Sequence, residues 1–114
     1  MAKAKARKVQ RTIVFDVRTT KPLPVGQQIF VSGNQKMLGH WRADALPLTR
    51  MGENAWAGQA ILPVGEAIEY KLTRGSWATE EAGADGTLPG NYEAKSGGDL
   101  TVRHTVVAWK DQFD

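Results

Sequence analysis

Two of the four tryptophans, Trp41 and Trp77, stand in loop segments rather than in predicted strands. Each follows a glycine and one polar residue, in the segments GHW and GSW, and no helical or strand period runs through either segment. The indole ring is a large apolar surface, so a loop tryptophan either anchors its loop on the core or meets a ligand. A sugar is a suitable ligand, because the apolar C–H face of a pyranose stacks on a ring while its hydroxyls need polar partners. The residues alone leave both explanations open.

Titratable groups that could support catalysis are few. His104 alternates with valines along a predicted strand, which indicates a structural histidine, and His40 has no histidine or carboxylate at the spacing of a zinc site. Glu80 and Glu81 are neighbours in an extended segment, so their side chains face opposite ways and make a poor acid–base pair. The chain has no cysteine, no nucleophile elbow and no phosphate-binding loop. We therefore expect a binding module without catalysis, cofactor or metal.

The composition indicates a single globular domain. The chain has 114 residues, which is enough for one core. Its hydrophobic fraction of 41% and charged fraction of 24% are typical of a soluble protein. No run is apolar enough to span a membrane, and the first residues lack the apolar core of a secretory signal. We expect no membrane partner and, if the chain is complete, a cytoplasmic location.

The net charge of +3 arises from the N-terminal residues. Residues 1–11 contain five basic residues and no acidic one, whereas the rest of the chain carries ten basic and twelve acidic residues. Such a charge run is usually a solvated tail, so we predict a disordered basic arm over residues 1–11. Nucleic-acid binding through this arm is the least supported function, because no aromatic residue is interleaved with the basic ones.

Side-chain alternation predicts an all-β fold. Residues 12–18 place three apolar side chains on one face, and residues 68–73 alternate Ile68, Tyr70 and Leu72 with polar residues. Turn signals recur about every ten residues, and no long segment has a helical period. We predict one antiparallel β-sandwich of seven or eight short strands over residues 12–110, followed by a tail or the start of a linker at 111–114. The same periodicity places Trp56 and Trp109 in the core.

Four segments occur in an order that is typical of one protein family: SGNQKMLGHW, LPVGEAIEYKLTRGSW, GNYE and VVAW. With these segments the chain resembles, from about Ile13 to Trp109, the starch-binding domains of carbohydrate-binding module family 20. The resemblance implies an immunoglobulin-like β-sandwich, in agreement with the strand pattern. It also implies a non-catalytic module that binds an α-glucan such as starch, glycogen or a maltooligosaccharide.

The resemblance implies the residues of one compact sugar site. Trp41, in an intact L-G-x-W, and Trp77 match the two stacking tryptophans of the family. Lys71 matches the lysine of E-Y-K, and Asn91 matches the asparagine that follows. Glu80 is expected to contact a sugar hydroxyl, because it lies near these residues in the sequence.

The chain also departs from the family pattern. Tyr92 follows Asn91 where the family commonly has an arginine. The family's second, more extended site depends on loop tyrosines, and here Val25 and the segment Thr49 to Met51 occupy their places. The resemblance therefore implies one competent site and leaves Trp56 mainly structural.

A second resemblance keeps another function open. The segment EYKLTRGSWATEE resembles sandwich modules at the N-terminus of bacterial esterase-like hydrolases, where the module is an appendage. This alternative predicts a structural or protein-interaction module without glucan binding. An exposed pair of tryptophans would suit a protein partner as well as a sugar. In both cases a catalytic hydrolase domain is an expected partner.

Overall fold

The computed structural model describes residues 9–114, which form ten β-strands and three short 3-10 helical turns. The strands are β1 (Gln10–Thr19), β2 (Phe30–Gly33), β3 (Leu46–Pro47), β4 (Thr49–Gly52), β5 (Ala55–Pro63), β6 (Ile68–Thr73), β7 (Glu81–Ala82), β8 (Tyr92–Ala94), β9 (Leu100–Val106) and β10 (Ala108–Trp109). The turns are the Trp41 turn (Lys36–Trp41), the Trp77 turn (Trp77–Thr79) and the C-terminal turn (Lys110–Phe113). No helix in residues 9–114 is long and apolar enough to cross a membrane.

Two four-stranded sheets pack together and confirm the predicted β-sandwich. The first sheet has the strand order β4-β5-β1-β9 and the second has β3-β2-β6-β8, while β7 and β10 form a separate pair. All pairs are antiparallel except β1 with β9, which run parallel from Ile13 beside Leu100 to Thr19 beside Val106. The described residues contain ten strands rather than seven or eight because β3, β7 and β10 have two residues each, too few for alternation to reveal.

The core lies between the sheets and consists of their alternating apolar residues. Phe15 of β1 packs edge-on against Tyr70 of β6, with ring centroids 5.2 Å apart. Trp56 and Trp109 are 2% and 6% exposed, which confirms their predicted place in the core. Further fully buried side chains come from both sheets and include Ile13, Val17, Val31, Ile68 and Leu72. The alternation that predicted the strands therefore also identified their inner faces.

The folded domain begins earlier than predicted. β1 starts at Gln10, which pairs with Pro63 of β5, and Arg11 is only 3% exposed. The prediction of a disordered arm over residues 1–11 is therefore wrong for Gln10 and Arg11. Alternation missed them because both residues are polar although they belong to the β1–β5 ladder. Residues 1–8, on which most of the arm prediction falls, lie outside the described residues.

The C-terminal turn belongs to the domain, where a tail was predicted for 111–114. The guanidinium of Arg74 donates a hydrogen bond to the carboxylate of Asp111 and lies over the Trp109 ring, 5.4 Å from its centroid. Gln112 Oε1 accepts a hydrogen bond from the backbone N–H of Trp109 at 2.7 Å. These contacts dock the turn against Arg74, the residue that follows β6. A polar turn this short has no hydrophobic period that could have predicted it.

His104 of β9 joins the two sheets. Its Nε2 atom lies 2.6 Å from the hydroxyl of Tyr70 on β6, and its ring centroid lies 4.1 Å from that of Tyr92 on β8. The histidine is therefore a bonded structural residue, as predicted. Burial lowers the pKa of His104, because the charged imidazolium is poorly solvated there.

Gly33, at the end of β2, allows the Trp41 turn to pack against the second sheet. A Cβ at this position would lie 2.4 Å from the carbonyl oxygen of Glu69 and 2.8 Å from Cδ1 of Leu38. Leu38 is the fully buried residue of the Trp41 turn. Glycine thus leaves space for both the backbone of β6 and the side chain that anchors the turn.

We expect Gly33→Ala to destabilise the domain by about 1–3 kcal/mol, because the added methyl group must displace backbone or Leu38. Urea unfolding followed by tryptophan fluorescence measures the change. Gly98→Ala is the matched control, because no atom lies within 4 Å of its Cβ position. The control should be neutral or slightly stabilising. Equal free energies of unfolding for the two variants would contradict the role of Gly33.

We expect the wild type to lose stability relative to His104→Gln as the pH falls below about 6.5, the ordinary histidine pKa. The unfolded chain binds a proton in that range, whereas the folded chain with its lowered His104 pKa resists protonation. The stabilising contribution of neutral His104 is therefore fully present above the pKa of histidine in the unfolded chain. It is lost as the pH falls towards the lower pKa that His104 has in the folded protein. Free energies of unfolding at pH 7.5, 6.5 and 5.5 test this. A difference between the two proteins that does not vary with pH would refute it.

Candidate functional site

The Trp41 turn holds its tryptophan in a strained backbone conformation. Gly39, His40 and Trp41 have φ values of 77°, 48° and 69°. All three lie in the left-handed region, which residues other than glycine rarely adopt. The side chain of Asn34 secures the start of the turn, because it donates to the carbonyl of Ala67 and accepts from the N–H of Glu69, both at 3.0 Å. Such strain persists only where surrounding contacts impose it, and it is often found at functional sites.

The Trp77 turn presents the second tryptophan. Trp77–Thr79 form one turn of 3-10 helix, in agreement with the loop predicted for this tryptophan. The side chains of Ser76 and Thr79 cap this turn, with their hydroxyl oxygens 3.0 Å apart. Gly75, which has a φ of 114°, reverses the chain between β6 and the turn.

The fold brings Trp41 and Trp77 together. Their ring centroids are 6.3 Å apart and their planes are inclined by 51°. Both tryptophans are half-buried, in contrast to Trp56 and Trp109 in the core. The two rings therefore form a shallow, angled apolar surface that is open to solvent. We call this surface the tryptophan platform.

Lys71 points away from the core on β6, between Tyr70 and Leu72, which point into it. Its Nζ donates to Oε1 of Glu80 at 3.1 Å, and the two side chains are 19% and 9% exposed. Glu80 was expected to contact a sugar hydroxyl. Its carboxylate is largely out of solvent and bonds the Lys71 ammonium group, which it thereby orients.

Asn91 lies directly before β8, where the alternation of that strand places it on the same face as Lys71. The β6–β8 register pairs Tyr70 with Tyr92, so Asn91 falls beside Lys71. Its amide is exposed and donates a long hydrogen bond of 3.4 Å to the carboxylate of Glu69. Glu69 was not among the predicted site residues. Its alternation with Tyr70 places it on the face of Lys71, which is the signal that could have identified it.

The half-buried Tyr92 and the buried Glu81 lie behind this face. The hydroxyl of Tyr92 donates to Oε1 of Glu81 at 2.8 Å. Burial raises the pKa of Glu81, and the hydrogen bond from Tyr92 and the charge of Lys71 oppose that rise. Burial also raises the pKa of Tyr92 far above its ordinary value, so its hydroxyl stays protonated and remains the donor.

The region of the family's second site offers no comparable surface. Trp56 is buried beneath the guanidinium of Arg50, which lies 5.3 Å from the ring centroid. The cleft there is lined by residues 22–28 and 47–50 with Glu53 and Trp56, and its one aromatic lining residue, Trp56, is only 2% exposed. Val25 in this cleft is 99% exposed, but its side chain is aliphatic and has no aromatic ring on which a sugar could stack. Within residues 9–114 no group of three or more histidine, aspartate or glutamate side chains could hold a metal ion.

Comparison with known proteins identifies the family of this chain. The family model of the starch-binding domain matches residues 10–109. An α-amylase from Niallia circulans is 35% identical over 104 residues, which cover 89% of this chain and 8% of the amylase. An α-amylase from Streptomyces violaceus is 42% identical over 67 residues, covering 55% of this chain and 12% of that protein. The chain thus spans only a small part of either amylase.

Solved structures share the fold. The family 20 module of a maltotetraose-forming amylase from Pseudomonas saccharophila superposes with a TM-score of 0.59 at 24% identity, covering 82% of this chain and 98% of that module. A γ-CGTase from an alkalophilic Bacillus clarkii superposes with a TM-score of 0.62 at 27% identity, covering 86% of this chain and 15% of the enzyme. The chain belongs to carbohydrate-binding module family 20, the starch-binding domains, which are non-catalytic modules for starch-like glucans.

Proposed function

We propose that this domain binds an α-glucan by stacking glucose units on the tryptophan platform, with Lys71 and Asn91 bonding the glucose hydroxyls. The observation that carries the proposal is the pairing of two half-exposed indole rings, whose centroids are 6.3 Å apart. The sheets bury Trp56 and Trp109, whereas these two rings remain open to solvent. Exposed aromatic rings of this kind suit a flat, partly apolar ligand. Membership of the family agrees with this ligand class.

The angle between the two rings favours an α-linked chain. Planes inclined by 51° can each contact one sugar only if successive units turn relative to one another. An α-1,4-linked glucan curves in this way, whereas a β-1,4-linked glucan is nearly flat. The platform is therefore expected to discriminate between the linkages by shape.

The neighbouring polar groups can provide the hydrogen bonds. An ammonium group has three N–H donors, and one donor of Lys71 is directed to Glu80. Among residues 9–114 no other acceptor bonds this ammonium, so two donors remain for hydroxyls. The long bond from Asn91 to Glu69 can be exchanged for a sugar hydroxyl at little cost. Two rings and a few hydrogen bonds suggest dissociation constants on the order of micromolar to millimolar.

Trp41→Ala and Trp77→Ala should each weaken binding of maltoheptaose by about tenfold or more, which corresponds to about 1.4 kcal/mol. Each substitution removes one stacking surface, while the half-exposed ring contributes less to the core than Trp56 or Trp109. Isothermal titration with maltoheptaose or β-cyclodextrin measures the affinity, and cellohexaose is the control ligand. Met51→Ala is the matched control variant, because this large side chain is 67% exposed but lies on β4 of the other sheet.

Saturable binding of the α-linked sugars alone, lost in both tryptophan variants and retained in Met51→Ala, supports the proposal. Absence of binding by the wild type up to millimolar sugar would exclude it and would favour the protein-interaction alternative. A large loss of stability in Trp41→Ala or Trp77→Ala would show that the rings serve the core instead.

We further propose that the domain attaches a catalytic hydrolase domain to insoluble starch. The support is that the matched amylases are far longer than this chain, which covers 8% and 12% of them. The isolated domain should then be depleted from solution by granular starch and remain in solution with microcrystalline cellulose. Equal adsorption to both solids would count against a starch-directed role.

A further inference from the structure

We propose that Tyr92 and Glu81 are a positioning pair for the glucan site, because their hydrogen bond ties the start of β8, directly after Asn91, to the start of β7, directly after Glu80. The inference rests on the proposed function of that site. It concerns residues that face away from the sugar and that neither the tryptophan platform nor its polar neighbours include.

The pair connects strands that no ladder joins. Glu81 lies in β7, which pairs only with β10, and Tyr92 lies in β8, which pairs with β6. Between β7 and β8 the chain runs through residues 83–91 without regular structure. The 2.8 Å bond from the Tyr92 hydroxyl to Glu81 Oε1 therefore links these two elements directly, whereas the backbone bridge between Thr73 and Glu80 joins them only through β6.

Each partner is the neighbour of a site residue. Glu80 precedes Glu81 and bonds Lys71, and Asn91 precedes Tyr92 and lies beside Lys71. Since successive side chains of an extended chain point to opposite sides, the inner bond sets the direction of both outer side chains. One hydrogen bond behind the sheet thus controls two groups around the Lys71 ammonium.

The surroundings make this bond costly to lose. Glu81 is 7% exposed, so breaking its bond would leave a buried carboxylate without the Tyr92 donor. The Tyr92 ring is held between Tyr70 and His104, with centroid distances of 5.6 and 4.1 Å. The ring will therefore stay in place when only its hydroxyl is removed, so that Tyr92→Phe tests the bond to Glu81 alone.

The same cluster supplies a matched control. The hydroxyl of Tyr70 is also buried and bonds His104 at 2.6 Å. Tyr70, however, lies in β6, which ladders to β2 and β8 hold on both sides. Loss of the Tyr70 hydroxyl should therefore reduce stability without displacing a site residue.

The experiment measures maltoheptaose affinity by titration calorimetry and urea stability for the wild type, Tyr92→Phe, Tyr70→Phe, Glu81→Ala and Glu81→Gln. Tyr92→Phe and Glu81→Ala should weaken binding by about three- to tenfold, the usual effect of one lost hydrogen bond. Tyr70→Phe should change affinity less than about twofold although it loses a comparable bond. Glu81→Gln should retain near wild-type affinity, because its amide oxygen can still accept from Tyr92.

A readout without sugar accompanies the titrations. In the ligand-free protein, the side-chain amide resonances of Asn91 should shift in Tyr92→Phe and stay in place in Tyr70→Phe. If the wild type binds maltoheptaose but Tyr92→Phe binds equally well, or Tyr70→Phe is impaired as strongly, the positioning role is overturned and the glucan site stands. If the wild type does not bind, the proposed function fails and the role of the pair in sugar binding fails with it.

Discussion

The alternation of side chains along β6 is the constraint on which the rest of the molecule depends. This strand lies between β2 and β8, and its inward side chains, Ile68, Tyr70 and Leu72, are at most 1% exposed. Its outward side chains include Glu69, which accepts a bond from Asn91, and Lys71, which pairs with Glu80. A shift of register by one residue would exchange the two sets and destroy core and site together. The outward direction of these polar side chains is therefore as firmly specified as the core.

The tryptophan platform, in contrast, depends on two irregular turns rather than on a strand. Trp41 closes a turn with three consecutive left-handed residues, and Trp77 opens a separate turn after Gly75. Left-handed non-glycine residues cost about 1–3 kcal/mol each, which the fold offsets through the buried Leu38 and the bonds of Asn34. A regular strand would have turned one of these rings into the core. The irregular turns keep both rings at the surface and near one another.

Sequence reasoning could predict the parts that rest on local periodicity. The long strands β1, β6 and β9, the buried Trp56 and Trp109, and the outward direction of Lys71 all follow from an alternation with period two. The parallel pairing of β1 with β9 and the two-residue strands depend on contacts between distant segments, which no local pattern encodes. The proximity of Trp41 to Trp77 and the orientation of Glu80 towards Lys71 depend on the same kind of contact. The family resemblance named most of these residues, but it did not give their arrangement.

The parallel pairing of β1 and β9 has a mechanical consequence. The two strands start at one end of the pair and finish at the other. The N-terminal end of β1 and the C-terminal end of β9 therefore lie at opposite ends of this strand pair. Tension applied between those ends acts along the strands and shears their hydrogen bonds. The load is then shared by the whole register from Ile13 to Thr19 instead of falling on one bond after another.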